Sequence, residues 1–450
     1  KSGAFASRGL ALNIMPTMDS VQGNTTLGFA PCPRSCNTQA TSVVGINAYA
    51  EVVDEQAHAV AENTNMCSLE EARERERTGQ LDKFEWAEGS CPRQPKVNLS
   101  LATRKYQRSS AGKEYRPQDV RTVAACWKTM EFLMGEILDF DRNPKPGFAI
   151  SSASYFEVYS YLRDRTRAIR VDLHLQENQC DYVRGNVAAN MFIRTHEYCL
   201  RYELLSFFLL AGAGSNTYDE KLALQTISQT IGPLLEAYRA RRQHSRAKRT
   251  TCENHSDADD HKSEFAMHRY IILVLMSFAP SELPAHLARL DTSTLAHPLV
   301  TYATRVYAAY MTGDYGTFLA YYRDADFLTS VAMSGVADLA RLRALWLMAR
   351  ACPQSIADKV PLVRVQRLLA FRNDSHVHQF LAAHGLEVLD GDVSVDSSSS
   401  LVFPKRGTEA ALKHPLLTGH SSPPEKCSIP RSFDPLLIEK FDVLNMCRRN

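Results

Sequence analysis

The sequence predicts a mainly α-helical protein, an α-solenoid of helical repeats capped at its C-terminal end by a winged-helix domain. Three observations predict this. From Pro117 to about Cys352 apolar residues recur at helical spacing, with little of the two-residue alternation that marks strands. The breaks between these segments are mostly short, so successive helices stack as pairs although no fixed sequence repeat is visible. Beyond them the pattern runs helix, helix, hairpin, which is the outline of a winged helix.

Residues 1–62 are rich in Ser, Thr, Asn, Gly and Pro and poor in large apolar groups, and are expected to form a disordered leader. Residues 63–116 read as an extended N-terminal segment carrying one short helix. Ser68 and Glu71 make an S-x-x-E capping box there, and Gly79 is placed to end the helix. Glu71 and Arg75 form a favourable i,i+4 pair on that helix, which is polar nearly all round. The stretch 101–121 holds Arg104, Lys105, Arg108, Lys113, Arg116 and Arg121 against Glu114 and Asp119. Its Ser-Ser-Ala-Gly and Arg-Pro breaks make it extended.

The helical repeat domain, residues 117–355, contains helical segments near 118–139, 154–177, 185–210, 219–240, 263–279, 297–312, 314–324 and 332–351. One break is long: 239–264 is a basic block followed by an acidic one and reads as a disordered loop. The winged-helix domain, residues 356–406, comprises a helix at 361–373, a second at 374–386 ending at Gly385, and a hairpin at 387–405 turning around Asp390-Gly391. A Ser/Pro-rich tail, 407–450, follows, with a helical piece at 435–444.

Composition narrows the function classes. A chain of 450 residues with 44% hydrophobic content suits globular cores, and a net charge of +2 confines any nucleic-acid site to a local patch. Eleven cysteines lie scattered without a repeated CxxC pair, which points to a reducing, intracellular compartment. The apolar runs at 204–214 and 270–279 are too short to cross a bilayer, and no secretory leader pattern opens the sequence. No membrane association is expected.

No nucleophile elbow, phosphate loop or H-E-x-x-H zinc motif occurs. Gly212 and Gly214 in "AGAGSN" follow an apolar helix and read as its stop. His376 and His378 lack a matching set of cysteines or carboxylates and read as surface residues, and Cys32 with Cys36 lacks two further ligands. The expectation is a non-enzymatic protein with no catalytic residue, metal or cofactor.

What remains is recognition. Arg364, Arg367 and Arg372 fall on the first helix of the winged-helix domain, with Lys405 and Arg406 just after its hairpin, where they could contact phosphates. An ordinary charged surface on a protein-interaction module is the competing reading. A second candidate is "YLRDRTRAIRVDLHLQEN" (161–178). Arg163, Arg167, Arg170 and His174 form one stripe of a helix beside an apolar stripe of Leu162, Ile169 and Leu173. With Arg165 these arginines could clamp the acidic side chains Glu70, Glu71 or Glu74, face a partner, or touch nucleic acid.

The residues also carry a resemblance. "NTNMCSLEEARERE", "RKYQRSSAGKEYRPQDVR", "DRTRAIRVDLHLQ", "HEYCLRYELL", "KSEFAMHRYIILVLM", "MTGDYGTFLAYY" and "PLVRVQRLLAFRNDSHVHQFLAAHGLEVLDGDV" occur in the order found in the SAC/GANP family of mRNA-export scaffolds, which the chain resembles from about Asn63 to Arg406. Three positions depart from the pattern: Asn63 stands for a cysteine, Glu203 for a histidine and Asp314 for an asparagine.

The resemblance implies a PCI-like architecture that pairs with a PCI-domain subunit and a small acidic Dss/Sem-type protein. The adjacent winged helices of the two subunits would then bind RNA or other nucleic acid. It implies a nuclear location and a role in mRNA export, with nuclear-pore or centrin contacts through segments not seen here. Other members of the family are tied to the centrosome, to mitosis or to splicing, which keeps a centrosomal or cytoplasmic adaptor without RNA binding as the alternative.

Overall fold

The computed structural model describes residues 61–108, 115–138, 154–210, 218–248, 257–351, 359–371, 373–389 and 399–403. The expected leader (but for residues 61 and 62), the Cys32/Cys36 pair and the tail lie outside the described residues. The protein is mainly helical. Residues 61–108 form a strap with little regular structure. It begins at a parallel bridge between Asn63 and Arg121 and carries the helix α1, Leu69–Arg77. Ser68 caps α1 by accepting from the amide of Glu71, and Gly79 ends it at a φ of +68° that a side chain would strain. The other half of the expected capping box is absent. The Glu71 carboxylate takes the Lys105 amide at 2.8 Å instead, and pairs with Arg75 at 3.4 Å.

The helices that follow are α2 (Val123–Phe132, continued by a π-helical turn at Leu133–Ile137), α3 (Tyr155–His174), α4 (Val187–Leu209), α5 (Glu220–Lys248) and α6 (Asp257–Phe278). Then come α7 (Leu283–Ala288), α8 (Thr292–Ala296), α9 (Pro298–Met311), α10 (Tyr315–Asp324) and α11 (Phe327–Ala351). Side-chain caps explain the starts: Ser154 and Glu157 make a full capping box on α3, while Asn186 caps α4 and Asp314 caps α10. α2 packs on α3 and α4, α4 on α5 and α11, α6 on α9 and α11, and α10 on α9 and α11. Gly335 lets α11 approach α6: a methyl group there would stand 2.6 Å from the Phe278 ring.

The long break expected at 239–264 is helical at both of its ends. α5 runs on to Lys248 and α6 starts at Asp257, leaving 249–256 outside the described residues. The reason is charge neutralisation at the start of the basic block. Arg241 reaches the wholly buried Glu264 at 2.5 Å, and Arg242 bonds the same carboxylate and pairs with Asp291 at 3.3 Å.

The C-terminal unit holds β1 (Lys359–Pro361), α12 (Leu362–Leu368), α13 (Asp374–Ala383), β2 (Glu387–Leu389) and β3 (Ser400–Val402). Its sheet has the order β1-β3-β2 with both pairings antiparallel, Val360 and Val388 each opposite Leu401. Sequence reading missed β1; β2 and β3 pair as the expected hairpin, Leu389 opposite Ser400, and Asp390 and Gly391 lie outside the described residues. Gly385, at φ +71°, ends α13 as expected. Arg341 of α11, 1% exposed, ties the unit to the helices by donating to the Leu369 carbonyl at 2.9 Å and lying 4.3 Å from the Phe371 ring centre.

Candidate functional site

The charged residues singled out in the sequence divide into a buried knot and an exposed face where the strap crosses α3. In the knot, Arg75 of α1 donates to Glu85 at 2.5 Å and to the Thr103 carbonyl at 2.9 Å. Glu85 accepts from the Thr103 amide at 2.9 Å and from Arg165 of α3 at 3.2 Å, while Arg165 also donates to Thr103 Oγ1 at 3.0 Å and to Asp164. Phe84 packs on Tyr161 with ring centres 4.7 Å apart, so the charges sit against an aromatic floor. Burial pushes the Glu85 carboxyl upward, but Arg165 and Arg75 outweigh it and hold the group below its ordinary range.

A second knot lies about two turns further along α3. Asp172, fully buried, accepts from Arg104 of the strap and from Arg121 Nε at 2.6 Å. Gln176 fastens the main chain beside it by donating to the Arg121 carbonyl at 2.7 Å. Arg165 therefore meets Glu85 and Asp164, not Glu70, Glu71 or Glu74. Glu70 pairs with Arg116 at 3.3 Å and Glu74 with Arg77 at 2.6 Å, both at the surface.

The predicted stripe splits. Arg170 turns toward α5 and donates to Thr230 at 3.1 Å, and His174 meets Glu177 at 3.2 Å, a hydrogen bond that raises its imidazole above the ordinary value. Arg163 and Arg167 stay partly exposed, with the Arg167 guanidinium 4.0 Å from the centre of the Tyr106 ring. Lys105 and Arg108 of the strap flank Tyr106 in sequence, Lys105 half-buried and Arg108 exposed. Among the described residues, none of these four cations has a carboxylate within ion-pair distance.

On α12, Arg364 and Arg367 are exposed one helical turn apart, next to Val363, whose side chain is 63% exposed. Arg372, Lys405 and Arg406 lie outside the described residues, so the nucleic-acid set is placed for two of its five members.

The motif positions are mostly internal. Asn63 is buried and holds the turn after it, its Oδ1 accepting from the Asn65 amide at 2.9 Å. Cys67 accepts from Arg75 at 3.4 Å, and burial pushes its thiol up to about 12, which leaves no reactive thiolate. Glu197 accepts from Tyr238 at 2.6 Å and pairs with Arg201 at 3.5 Å, while Phe265 stacks on His297 with ring centres 3.8 Å apart. Glu203 is buried on α4, and its carboxyl is pushed up to about 7 by burial, partly offset by Arg170 and Arg163. Among the described residues no group of three or more His, Cys, Asp or Glu could hold a metal ion, and no helix is long and apolar enough to cross a membrane.

Sequence reasoning missed Glu85 and Asp172 as partners. The signal for Glu85 was the Asp82-x-x-Glu85 pattern, which forms a capping box on a short 3-10 turn at Lys83–Glu85. Asp172 is the one acid on the inner face of α3, and an acid buried among Leu and Ile demands a cation.

A mainly helical protein is thus defined, with a charged strap bound across its first helices and a small helix–helix–sheet unit at its end. The chain belongs to the SAC3/GANP family, whose model matches residues 66–390. It is similar to Protein xmas of Drosophila melanogaster, 24% identical over 330 residues, and to SAC3 family protein B of Arabidopsis thaliana, 26% identical over 340 residues. Each comparison covers 72% of this chain but only 14% and 17% of those relatives, so the chain spans a small part of their length.

Proposed function

We propose that this chain is a non-enzymatic scaffold of a nuclear mRNA-export complex, built as an α-solenoid capped by a winged helix. The observation that carries this reading is the family match over residues 66–390, which runs from the strap through every helix to β2. In this reading the sheet unit is the winged helix, and its Arg364 and Arg367, with Arg372, Lys405 and Arg406, supply phosphate contacts for RNA. Val363 beside them offers an apolar anchor for a PCI-domain subunit, and a small acidic Dss/Sem-type protein completes the assembly.

The test is affinity purification of the tagged native protein with mass spectrometry of what accompanies it. Recovery of a PCI-domain protein and a small acidic protein in near-equal amounts supports the scaffold reading. Recovery of centrosomal or splicing proteins without that pair overturns it in favour of an adaptor that works without RNA.

A further inference from the structure

We propose that the edge where the strap crosses α3 is a second contact site for single-stranded nucleic acid, separate from α12. Lys105, Arg108, Arg163 and Arg167 would meet phosphates there, and the Tyr106–Arg167 stack would meet a base. The inference rests on the reading that this chain binds RNA.

Four observations carry it. Lys105 and Arg108 flank Tyr106, whose amide and ring meet Asp164 and Arg167, and Arg163 precedes Asp164 on α3, in a chain whose net charge is only +2. Arg163 and Arg167 sit at i,i+4 on α3, a like-charge spacing that destabilises a helix unless an anion relieves it. The nearby acids are occupied: Asp164 accepts from Arg165 and from the Tyr106 amide at 3.1 Å, Glu71 accepts from the Lys105 amide at 2.8 Å, and Glu203, which feels both Arg170 and Arg163, is buried on α4. Those same two bonds pin the strap's main chain, so the cations project from a fixed track rather than a loose loop. Finally, Tyr106 is partly exposed with a guanidinium stacked 4.0 Å from its ring centre, which extends a π surface at low entropic cost.

The chemistry favours nucleic acid over an acidic protein. Residues 103–108 and 163–167 include no aliphatic side chain larger than threonine, so a protein partner would find little apolar surface to bury there besides the Tyr106 ring. Single-stranded nucleic acid needs only cations along its backbone and aromatic or guanidinium planes for its bases.

The experiment measures binding of a fluorescein-labelled oligouridylate to the full chain by anisotropy over a range of potassium chloride. Lys105→Gln, Arg108→Gln and Arg163→Gln are combined, because their side chains make no hydrogen bond to a described residue; circular dichroism and the thermal midpoint verify folding. The expected result is about tenfold weaker binding and a salt slope lower by about 2, near 0.7 for each lost phosphate contact. Arg108→Lys with Arg163→Lys should keep both values.

Unchanged affinity and slope in the triple variant, with binding lost in Arg364→Gln/Arg367→Gln, overturns the inference and leaves RNA binding by the winged helix standing. No binding by the parent chain overturns RNA binding itself. Retained RNA binding with loss of an acidic subunit from the purified complex makes this edge a protein interface and overturns the inference. Should the triple variant unfold, photocrosslinking of a 4-thiouridine oligonucleotide to the unaltered chain decides: adducts within 103–108 or 163–167 support the site, and adducts confined to α12 overturn it.

Discussion

Arg165 of α3 and Glu85 of the strap lie 80 residues apart in the sequence and meet at 3.2 Å with both side chains almost wholly buried. The bond places the strap on the helices, and Arg75 shares the same carboxylate at 2.5 Å. A buried pair of this kind adds little over apolar packing, yet stripping one partner leaves an uncompensated charge. Arg165→Ala is therefore expected to cost about 3–5 kcal/mol. A lowered thermal midpoint and faster proteolytic cutting within the strap would register it; an unchanged midpoint would sink the clamp.

The same carboxylate sets an acid limit. The folded pKa of Glu85 is depressed, so its contribution is present above the ordinary carboxylate value and is lost as pH falls through the lower folded value. Acid titration should loosen the strap below about pH 4, and Glu85→Gln should flatten that part of the profile while lowering stability at neutrality.

Glu203 has the opposite sign. Its folded pKa is raised to about 7, so burying the charged form is a penalty that is absent below the unfolded value and fully present above the folded one. Glu203→Gln should stabilise the protein by up to about 3 kcal/mol at mildly alkaline pH and by almost nothing near pH 4. Equal midpoints for the two proteins at about pH 8 would refute the assignment.

At Gly335 the limit is steric. A methyl group would sit 2.6 Å from Phe278 Cε1 and 2.9 Å from Ser277 Cβ, so α6 and α11 must separate. Gly335→Ala is expected to lose about 1–3 kcal/mol despite the better helix propensity of alanine, read from chemical denaturation.

Arg341 makes the attachment of the sheet unit testable. Its buried guanidinium holds the Leu369 carbonyl and packs on Phe371, and it pairs with Asp338 at 2.9 Å. Arg341→Leu should raise hydrogen exchange in α12 and α13 while amides of α4 and α6 keep their protection. Uniform exchange changes across the protein would contradict a local hinge.

The sequence by itself determined which segments are helical and where many of them start and stop. Apolar side chains three and four residues apart share a face, and Ser68, Gly79 and Gly385 act on the main chain within one turn of themselves. These are local interactions, legible in any short window. Only the tertiary structure decided that Glu85 and not Glu71 would meet Arg165, and that Arg241 and Arg242 would continue a helix against Glu264. It likewise decided that Arg170 would bond Thr230 of α5 while Arg167 stacked on Tyr106 of the strap. All of these charges look alike in sequence. Their fates differ because the energy of a charge depends on burial and on the nearest opposite charge, and both are set by chain segments tens of residues away.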